Sequence, residues 1–220
     1  LSETFSNEKL IIFDHDGTLY KTDSVSLEAI QNAFSDLNLT TPHNKKILSL
    51  IGETMESFCE IILPSSTIEE RKNLAERIRY HERALIPEKA ELYDNMDKIL
   101  KELIREGYTL AICSNANVDY INLVLNTLGI ADLFKYIKGK DLPKSKADLI
   151  KDLLTEVKPS FAIVVGDTAH DINAAKENNL PCIGVAYGYG GEQVLRADFI
   201  AEKPEDIINH IKRLGFYSKE

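Results

Sequence analysis

Apolar residues along this 220-residue chain follow two rhythms that alternate. Short unbroken runs, Leu10 to Phe13, Tyr108 to Cys113, Tyr136 to Lys138, Phe161 to Val165, Cys182 to Val185 and Phe199 to Ile200, read as buried strands. Between them, apolar positions recur at three- and four-residue spacing. Asp94 to Glu106 places Met96, Ile99, Leu100, Leu103 and Ile104 on one helical face and stops at Gly107. Val118 to Leu128, Ser145 to Leu154 and Asp171 to Asn178 share that period, with Asp171 the expected N-cap of the last. Strand and helix in alternation predict an α/β protein with a Rossmann-like, doubly wound, mostly parallel sheet covered on both faces.

The interval from Tyr20 to Ala90 breaks the alternation. Its patterns are helical only: Ser24 to Leu37, a piece around Ile47, Thr54 to Leu63 and Thr67 to Leu85, punctuated by Pro42, Pro64 and Pro87. The expected organisation is an all-helical cap domain over 20–90, inserted after the first strand of a core formed by 1–19 and 91–220. An insert at that place sits over the strand's carboxyl end, where a lid is useful. The mixed charges of Glu69 to Arg83 read as a solvated helix face, although Arg71, Arg77, Arg79 or Arg83 could reach a substrate carboxylate by turning inward.

A hydrophobic share of 44% with 28% charged residues is that of an ordinary globular protein. The net charge of -9 argues against nucleic acid or an anionic membrane as a partner bound through a basic surface. It also means that an anionic substrate would need locally placed positive charge. Cys59, Cys113 and Cys182 are scattered and odd in number, without a C-x-x-C pair, and Leu1-Ser2-Glu3-Thr4 is no basic-then-apolar leader. Both observations predict a reducing, cytoplasmic setting. No apolar stretch approaches the ~18 residues of a membrane span.

Chemistry concentrates where strands end. Asp14-His15-Asp16-Gly17-Thr18 follows Leu10-Ile11-Ile12-Phe13 directly, and two acids two residues apart there require the chain to turn, a freedom Gly17 supplies. Ser114-Asn115 follows the second strand, and Gly166-Asp167-Thr168-Ala169-His170-Asp171 follows the strand ending at Val165. Lys144 and Lys146 precede the helix carrying Leu149, Ile150 and Leu153. In a parallel sheet these ends share one edge, so the motifs converge on one crevice. Asp14, Asp167 and Asp171, with a main-chain carbonyl near Asp16, form a hard oxygen site suited to Mg²⁺. Asp14 is then free to act as a nucleophile, and Asp16 to protonate a leaving alkoxide and afterwards deprotonate water. The Ser114 hydroxyl and one lysine would hold phosphoryl oxygens. His15 is expected to face away from the crevice and Cys113 to be a core residue. Tyr187 and Tyr189, between glycines, fit either the cap interface or a simple loop.

With these motifs in order, the chain resembles haloacid dehalogenase-like (HAD) superfamily hydrolases of the phosphatase type with a small helical cap. The resemblance rests on the hydrophobic-D-x-D-G-T-L opening, the strand-Ser-Asn element, a lysine before a helix, and the strand-G-D-x-x-x-D element. It implies Asp14 as nucleophile and Asp16 as acid/base. It further implies Mg²⁺ held by the Asp14 carboxylate, the Asp16 carbonyl and Asp167, with Asp171 in support. Gly17, Thr18 and Asn115 would join Ser114 and a lysine around the phosphate. Gly184 to Gly190 followed by Glu192, Leu195 and Ala197-Asp198, and Ile51-Gly52 with Glu56, are similar to the phosphoglycolate phosphatase group. The substrate implied is a small phosphorylated metabolite, 2-phosphoglycolate foremost. A monomer or homodimer is expected, the long helices of the cap offering apolar faces that could pair.

Three departures stand out. Tyr20-Lys21-Thr22-Asp23-Ser24 is longer than the family's x-D-S, Asp94 replaces the proline expected after Tyr93, and K-P-x-P is absent. Counting back from Ile150 selects Lys144 for the phosphate lysine. Ser145-Lys146-Ala147-Asp148, read as a capping box, places Lys146 at the first helical position and is the preferred reading. Two other functions compete. One is a sugar-phosphate mutase of the same superfamily, although Leu50 to Phe58 lacks the arginine expected of it. The other is a signalling domain in which Asp14 accepts a phosphoryl group as a switch.

Overall fold

The structure, a computed structural model, describes residues 6–140 and 144–217; the leader reading at Leu1 to Thr4 lies outside them. The chain begins with β1 (Lys9–Phe13) and then runs through α1 (Asp23–Asp36), α2 (Asn44–Leu48), α3 (Met55–Ile62) and α4 (Ile68–Lys89) before a second strand appears. There follow α5 (Met96–Arg105), β2 (Tyr108–Cys113), α6 (Val118–Thr127), β3 (Tyr136–Lys138), α7 (Lys146–Val157), β4 (Phe161–Gly166), α8 (Ala169–Glu177), β5 (Cys182–Val185), β6 (Phe199–Ala201) and α9 (Glu205–Tyr217).

Among the described residues the strands form one parallel sheet in the order β3-β2-β1-β4-β5-β6. Successive side chains of a strand point to opposite faces, and here each face has its own core. Ile11 and Phe13 join Leu110, Ile112, Ile163 and Val165 on one side, packed against Met96, Leu100 and Leu103 of α5 and Ile207 and Ile211 of α9. Leu10 and Ile12 join Ala111, Cys113 and Val164 on the other, against Ile150 and Leu153 of α7 and Ile172 of α8. Cys113 is thus a core thiol, as expected; burial pushes it up to about 12. Phe13 pairs in register with Ile112 on one side and Val165 on the other, so the segments after β1, β2 and β4 emerge together on one edge.

The helical segment has a core of its own, including Ile30, Phe34, Ile47, Phe58, Leu74 and Ile78. Its entry and exit run side by side: Lys21 N–H donates to Glu91 O at 2.8 Å, Tyr93 N–H to Leu19 O at 3.2 Å, and Tyr20 bridges Leu92 in antiparallel fashion. Two features differ from the sequence reading. Helix α4 continues through Pro87 to Lys89. A proline in the last turn removes only one ladder bond, and Ala90 N–H still reaches Ile86 O at 3.1 Å. Helix α9 was not expected at all, although Ile207, Ile208 and Ile211 lie at helical spacing and are buried. Among the described residues no helix is long and apolar enough to cross a membrane.

Candidate active site

Asp14 extends the sheet by donating its backbone N–H to Val165 O at 2.8 Å, which fixes its side chain at the junction of β1 and β4. Asp167 leaves β4 directly after Gly166, and Asp171 lies in the first turn of α8. Carboxylate oxygens of Asp14, Asp167 and Asp171 lie within 4.8 Å of one another, and all three residues are buried. Strand order alone brings Asp14 and Asp167 together, because β1 and β4 are neighbours where the order reverses.

Asp171 is not the N-cap that the sequence suggested. Thr168 caps the helix, and Asp171 occupies the third helical position, its Oδ2 accepting from Thr168 N at 3.0 Å and from Thr168 Oγ1 at 2.8 Å. This capping box needs the acid three residues beyond the cap, which moves the helix start back to Ala169. The other oxygen, Oδ1, stands 2.5 Å from Lys146 Nζ, and the same ammonium lies 2.7 Å from Asp14 Oδ1.

The capping box of Ser145 and Asp148 sets Lys146 at the first position of α7, above the crevice and buried. Lys144 is 40% exposed and pairs with Asp152 at 2.5 Å. Of the two candidate lysines, the fold brings Lys146 to Asp14 and leaves Lys144 on the surface.

One ammonium therefore faces three buried carboxylates. Burial first, and then the charge of Asp171, push the Asp14 carboxyl up to about 7 against the pull of Lys146. Burial followed by the charges of Asp14 and Asp171 holds Asp167 well above the usual range. Lys146 stays charged: the cost of its burial is outweighed by Asp14 and Asp171. Asp167 Oδ2 accepts from Tyr189 N–H at 2.7 Å, while the buried Oδ1 has no hydrogen-bond partner among the described residues. A surplus of buried carboxylate charge with an orphaned oxygen is a donor set that fits a hard divalent cation.

Asp16 is not one of the clustered carboxylates. Its Oδ1 accepts from Thr22 Oγ1 at 3.0 Å and Tyr120 OH at 3.2 Å, and its Oδ2 lies 3.4 Å from His15 Nδ1. Burial raises its proton affinity, but the His15 ring beside it and the hydrogen bonds from Thr22 and Tyr120 outweigh burial and hold the carboxyl below its ordinary range. His15 itself is fully buried, its ring between those of Tyr20 and Tyr120, with centroids 5.1 and 5.7 Å away.

The remaining candidates divide. Gly17 turns the chain at φ +73°, and a Cβ there would lie 2.5 Å from Asp167 Oδ2. Thr18 Oγ1 is buried with no partner among the described residues, and Ser114 is 2% exposed with its Oγ accepting from Ala116 N–H at 3.1 Å. Asn115 is committed elsewhere: its Nδ2 donates to Gly52 O at 2.8 Å and ties the end of β2 to the helical segment.

Between that segment and the sheet edge lies a cavity of about 150 Å³. Asp16, Thr22 and Tyr120 form part of its wall, with Ser26 of α1, Arg79 and Glu82 of α4, and apolar Ile30, Ile47, Leu50, Phe58 and Ile78. The solvated helix face read from the charges of Glu69 to Arg83 is corrected at one position, since Glu82 is buried along with the apolar Leu74, Ala75 and Ile78 of α4. Of its arginines, Arg71 bonds Leu63 O and Glu60, Arg77 pairs with Asp36, and Arg79 lines the cavity while bound to Glu56 at 3.0 Å. Sequence reasoning missed Ser26 and Glu82. Spacing carried a signal for the second: Glu82 stands four residues from both Ile78 and Ile86, at a position where an apolar residue belongs.

Comparison with known proteins gives concordant likenesses. A family model described as haloacid dehalogenase-like hydrolase matches residues 11–185. The pyrophosphatase PpaX of Listeria monocytogenes is 31% identical over 209 residues, covering 90% of this chain and 94% of its own. A phosphoglycolate phosphatase of Psychrobacter arcticus is 27% identical over 203 residues, covering 86% and 88%. Among solved structures, a haloacid dehalogenase-like family hydrolase from Streptococcus pneumoniae superposes with a TM-score of 0.83 at 25% identity, over 93% of this chain and 99% of that one.

Proposed function

The chain belongs to the haloacid dehalogenase-like hydrolase family and is a phosphoric monoester hydrolase, and from that premise we propose Mg²⁺-dependent hydrolysis of small phosphomonoesters through a phosphorylated Asp14. The observation that carries the reading is the Asp14 carboxylate, 2.7 Å from the Lys146 ammonium and clustered with Asp167 and Asp171.

In the first half-reaction an Asp14 oxygen attacks phosphorus, the bond to the leaving oxygen breaks, and the proton carried by the substrate monoanion passes to that oxygen by way of Asp16, whose own carboxyl is held below the ordinary range. In the second, water attacks phosphorus, the Asp14–phosphate bond breaks, and the water proton returns to Asp16. Lys146 offsets charge on the phosphoryl oxygens, joined by the Ser114 and Thr18 hydroxyls. Asp14, Asp167 and the main-chain carbonyl of Asp16 would hold Mg²⁺, with Asp171 in support through its grip on Lys146. When bound, the ion neutralises charge between phosphate and carboxylates. The 20–90 segment acts as a cap closing over this edge. The unpaired thiols Cys59, Cys113 and Cys182 suit a reducing cytoplasm.

2-Phosphoglycolate heads the substrate panel, supported by the sequence resemblance and by the name of the Psychrobacter relative. Pyrophosphate comes second, from the name of the Listeria relative. The test is phosphate release from p-nitrophenyl phosphate with Mg²⁺. Asp14→Asn should lower turnover by roughly a thousandfold or more with the fold intact. Turnover equal to wild type in a clean preparation refutes the proposal.

A further inference from the structure

Resting on the phosphatase reading, we propose that Tyr120, backed by Tyr20, is a positioning residue for proton transfer: its phenol clamps one oxygen of the Asp16 carboxylate so that the other is held ready to take and pass on the proton.

Asn117 caps α6, its side chain accepting from Tyr120 N–H at 2.8 Å, which sets Tyr120 at the third helical position. Side chains on a helix lean toward its N-terminus, and α6 begins shortly after the end of β2, on the edge that also carries Asp16. The Tyr120 phenol accordingly donates to Asp16 Oδ1 at 3.2 Å, across 104 positions of sequence. Tyr20, fully buried in the chain entering the helical segment, meets the Tyr120 phenol with its own.

Each phenol has a single proton. That of Tyr120 goes to the carboxylate, so the proton between the two rings comes from Tyr20, and both O–H groups point toward Asp16. Hydrogen bonds ordered in one direction polarise and strengthen one another. Thr22 Oγ1 donates to the same carboxylate oxygen at 3.0 Å while accepting from Gly17 N–H at 3.2 Å. Both hydroxyl donors thus fall on Oδ1, whereas Oδ2 has His15 Nδ1 at 3.4 Å. The buried His15 ring packs against both phenol rings and fixes where they stand.

In the step this clamp serves, the proton of the substrate monoanion passes to Asp16 and on to the leaving oxygen, as that oxygen parts from phosphorus and Asp14 bonds to it. A carboxylate free to rotate would meet the required geometry only part of the time. An alkyl phosphate depends on the transfer, because an alkoxide leaves poorly without a proton. 2,4-Dinitrophenyl phosphate does not, because its phenolate leaves unaided.

The experiment measures kcat and kcat/KM of the full chain with Mg²⁺ on 2-phosphoglycolate, glycerol 3-phosphate and 2,4-dinitrophenyl phosphate. Tyr120→Phe removes one oxygen atom and keeps the ring. It should lower kcat/KM roughly tenfold or more for whichever alkyl ester wild type turns over best, and by no more than about threefold for the dinitrophenyl ester. With that ester kcat and KM should fall together and a burst of dinitrophenolate should grow, because water attack on phosphorylated Asp14 also needs Asp16 and becomes the slow step. Tyr20→Phe keeps the bond to Asp16 and loses its backing. It should move the same substrates in the same direction by a smaller factor, and it tests the clamp should Tyr120→Phe fold poorly. Equal losses of kcat/KM on all three esters, as a merely structural role would give, or either variant matching or exceeding wild type on the alkyl esters, overturns this inference alone. Failure of the wild type on every ester overturns the phosphatase reading, and this inference with it.

Discussion

Asp23 and Asp167 are joined through a single residue. Tyr189 donates its main-chain N–H to Asp167 Oδ2 at 2.7 Å and its phenol to Asp23 Oδ1 at 2.5 Å, while Asp23 N–H donates back to the phenol oxygen at 3.0 Å. The first residue of α1 is thereby pinned to the acid that follows β4. Tyr189→Phe keeps the main-chain bond and removes the phenol. A loss of about 1.5–3 kcal/mol of stability is expected, with Mg²⁺ affinity unchanged because Asp167 retains its donor. Urea denaturation and Mg²⁺ titration check the two halves.

Lys146 is the ammonium among three buried carboxylates. Lys146→Met should cost about 3–5 kcal/mol in the metal-free protein, as removing one partner of a buried pair does. Phosphate release should fall with it. Added Mg²⁺ should recover more stability in this variant than in wild type, since more negative charge is left uncompensated. Equal recovery in paired urea titrations would remove Lys146 from the cluster's charge balance.

Mg²⁺ should itself stabilise the fold. At a free concentration a hundred times its dissociation constant the gain is about 2.7 kcal/mol. Asp167→Asn should abolish the dependence of Tm on Mg²⁺ in a thermal melt, and chelator should leave that variant unaffected.

Glu82 gives the stability curve a pH dependence whose sign can be worked out. Burial, and then the charge of Asp16, raise its carboxyl from 4.5 to about 8, with Arg79 pulling the other way. The folded state holds the proton more tightly than the unfolded one. Its contribution is therefore complete below about pH 4.5 and is lost as pH rises through about 8, with a limiting slope of about 1.4 kcal/mol per pH unit. Urea denaturation across that window should show wild type losing stability relative to Glu82→Gln as pH rises; parallel curves would contradict the assignment.

Gly17 cannot be replaced without disturbing Asp167. Its φ of +73° disfavours any side chain, and a Cβ would stand 2.5 Å from Asp167 Oδ2 and 2.7 Å from the Tyr189 ring. Gly17→Ala should cost about 1–3 kcal/mol from backbone strain alone and weaken Mg²⁺ binding as well. A variant matching wild type in both melt and titration would show that the turn relaxes freely.

The sheet was legible in the sequence because each strand is a run of buried residues ended by a polar motif, and strand order then placed Asp14 beside Asp167. That Lys146 rather than Lys144 would stand at the crevice was legible for a local reason, the Ser145–Asp148 capping box. The same logic missed at Asp171, since Thr168 and Asp171 both cap well and only the helix start separates N-cap from third position. Glu82 and Ser26 were hidden for another cause. A glutamate amid Glu69 to Arg83 looks like every other charge on that helix, and its burial is decided by how α4 lies on α1 and over Asp16, contacts between residues far apart in sequence.

The two chain segments Leu19 to Lys21 and Glu91 to Tyr93, lying side by side, have a consequence for how such a molecule changes over time. Because the way in and the way out already touch, the 69 residues between them, 22–90, could be exchanged as one cassette. A transplant from a relative, or a tight turn, can be spliced there without reordering the sheet beneath. Recognition of the departing group can thus be rewritten while the machinery for phosphorus stays as it is.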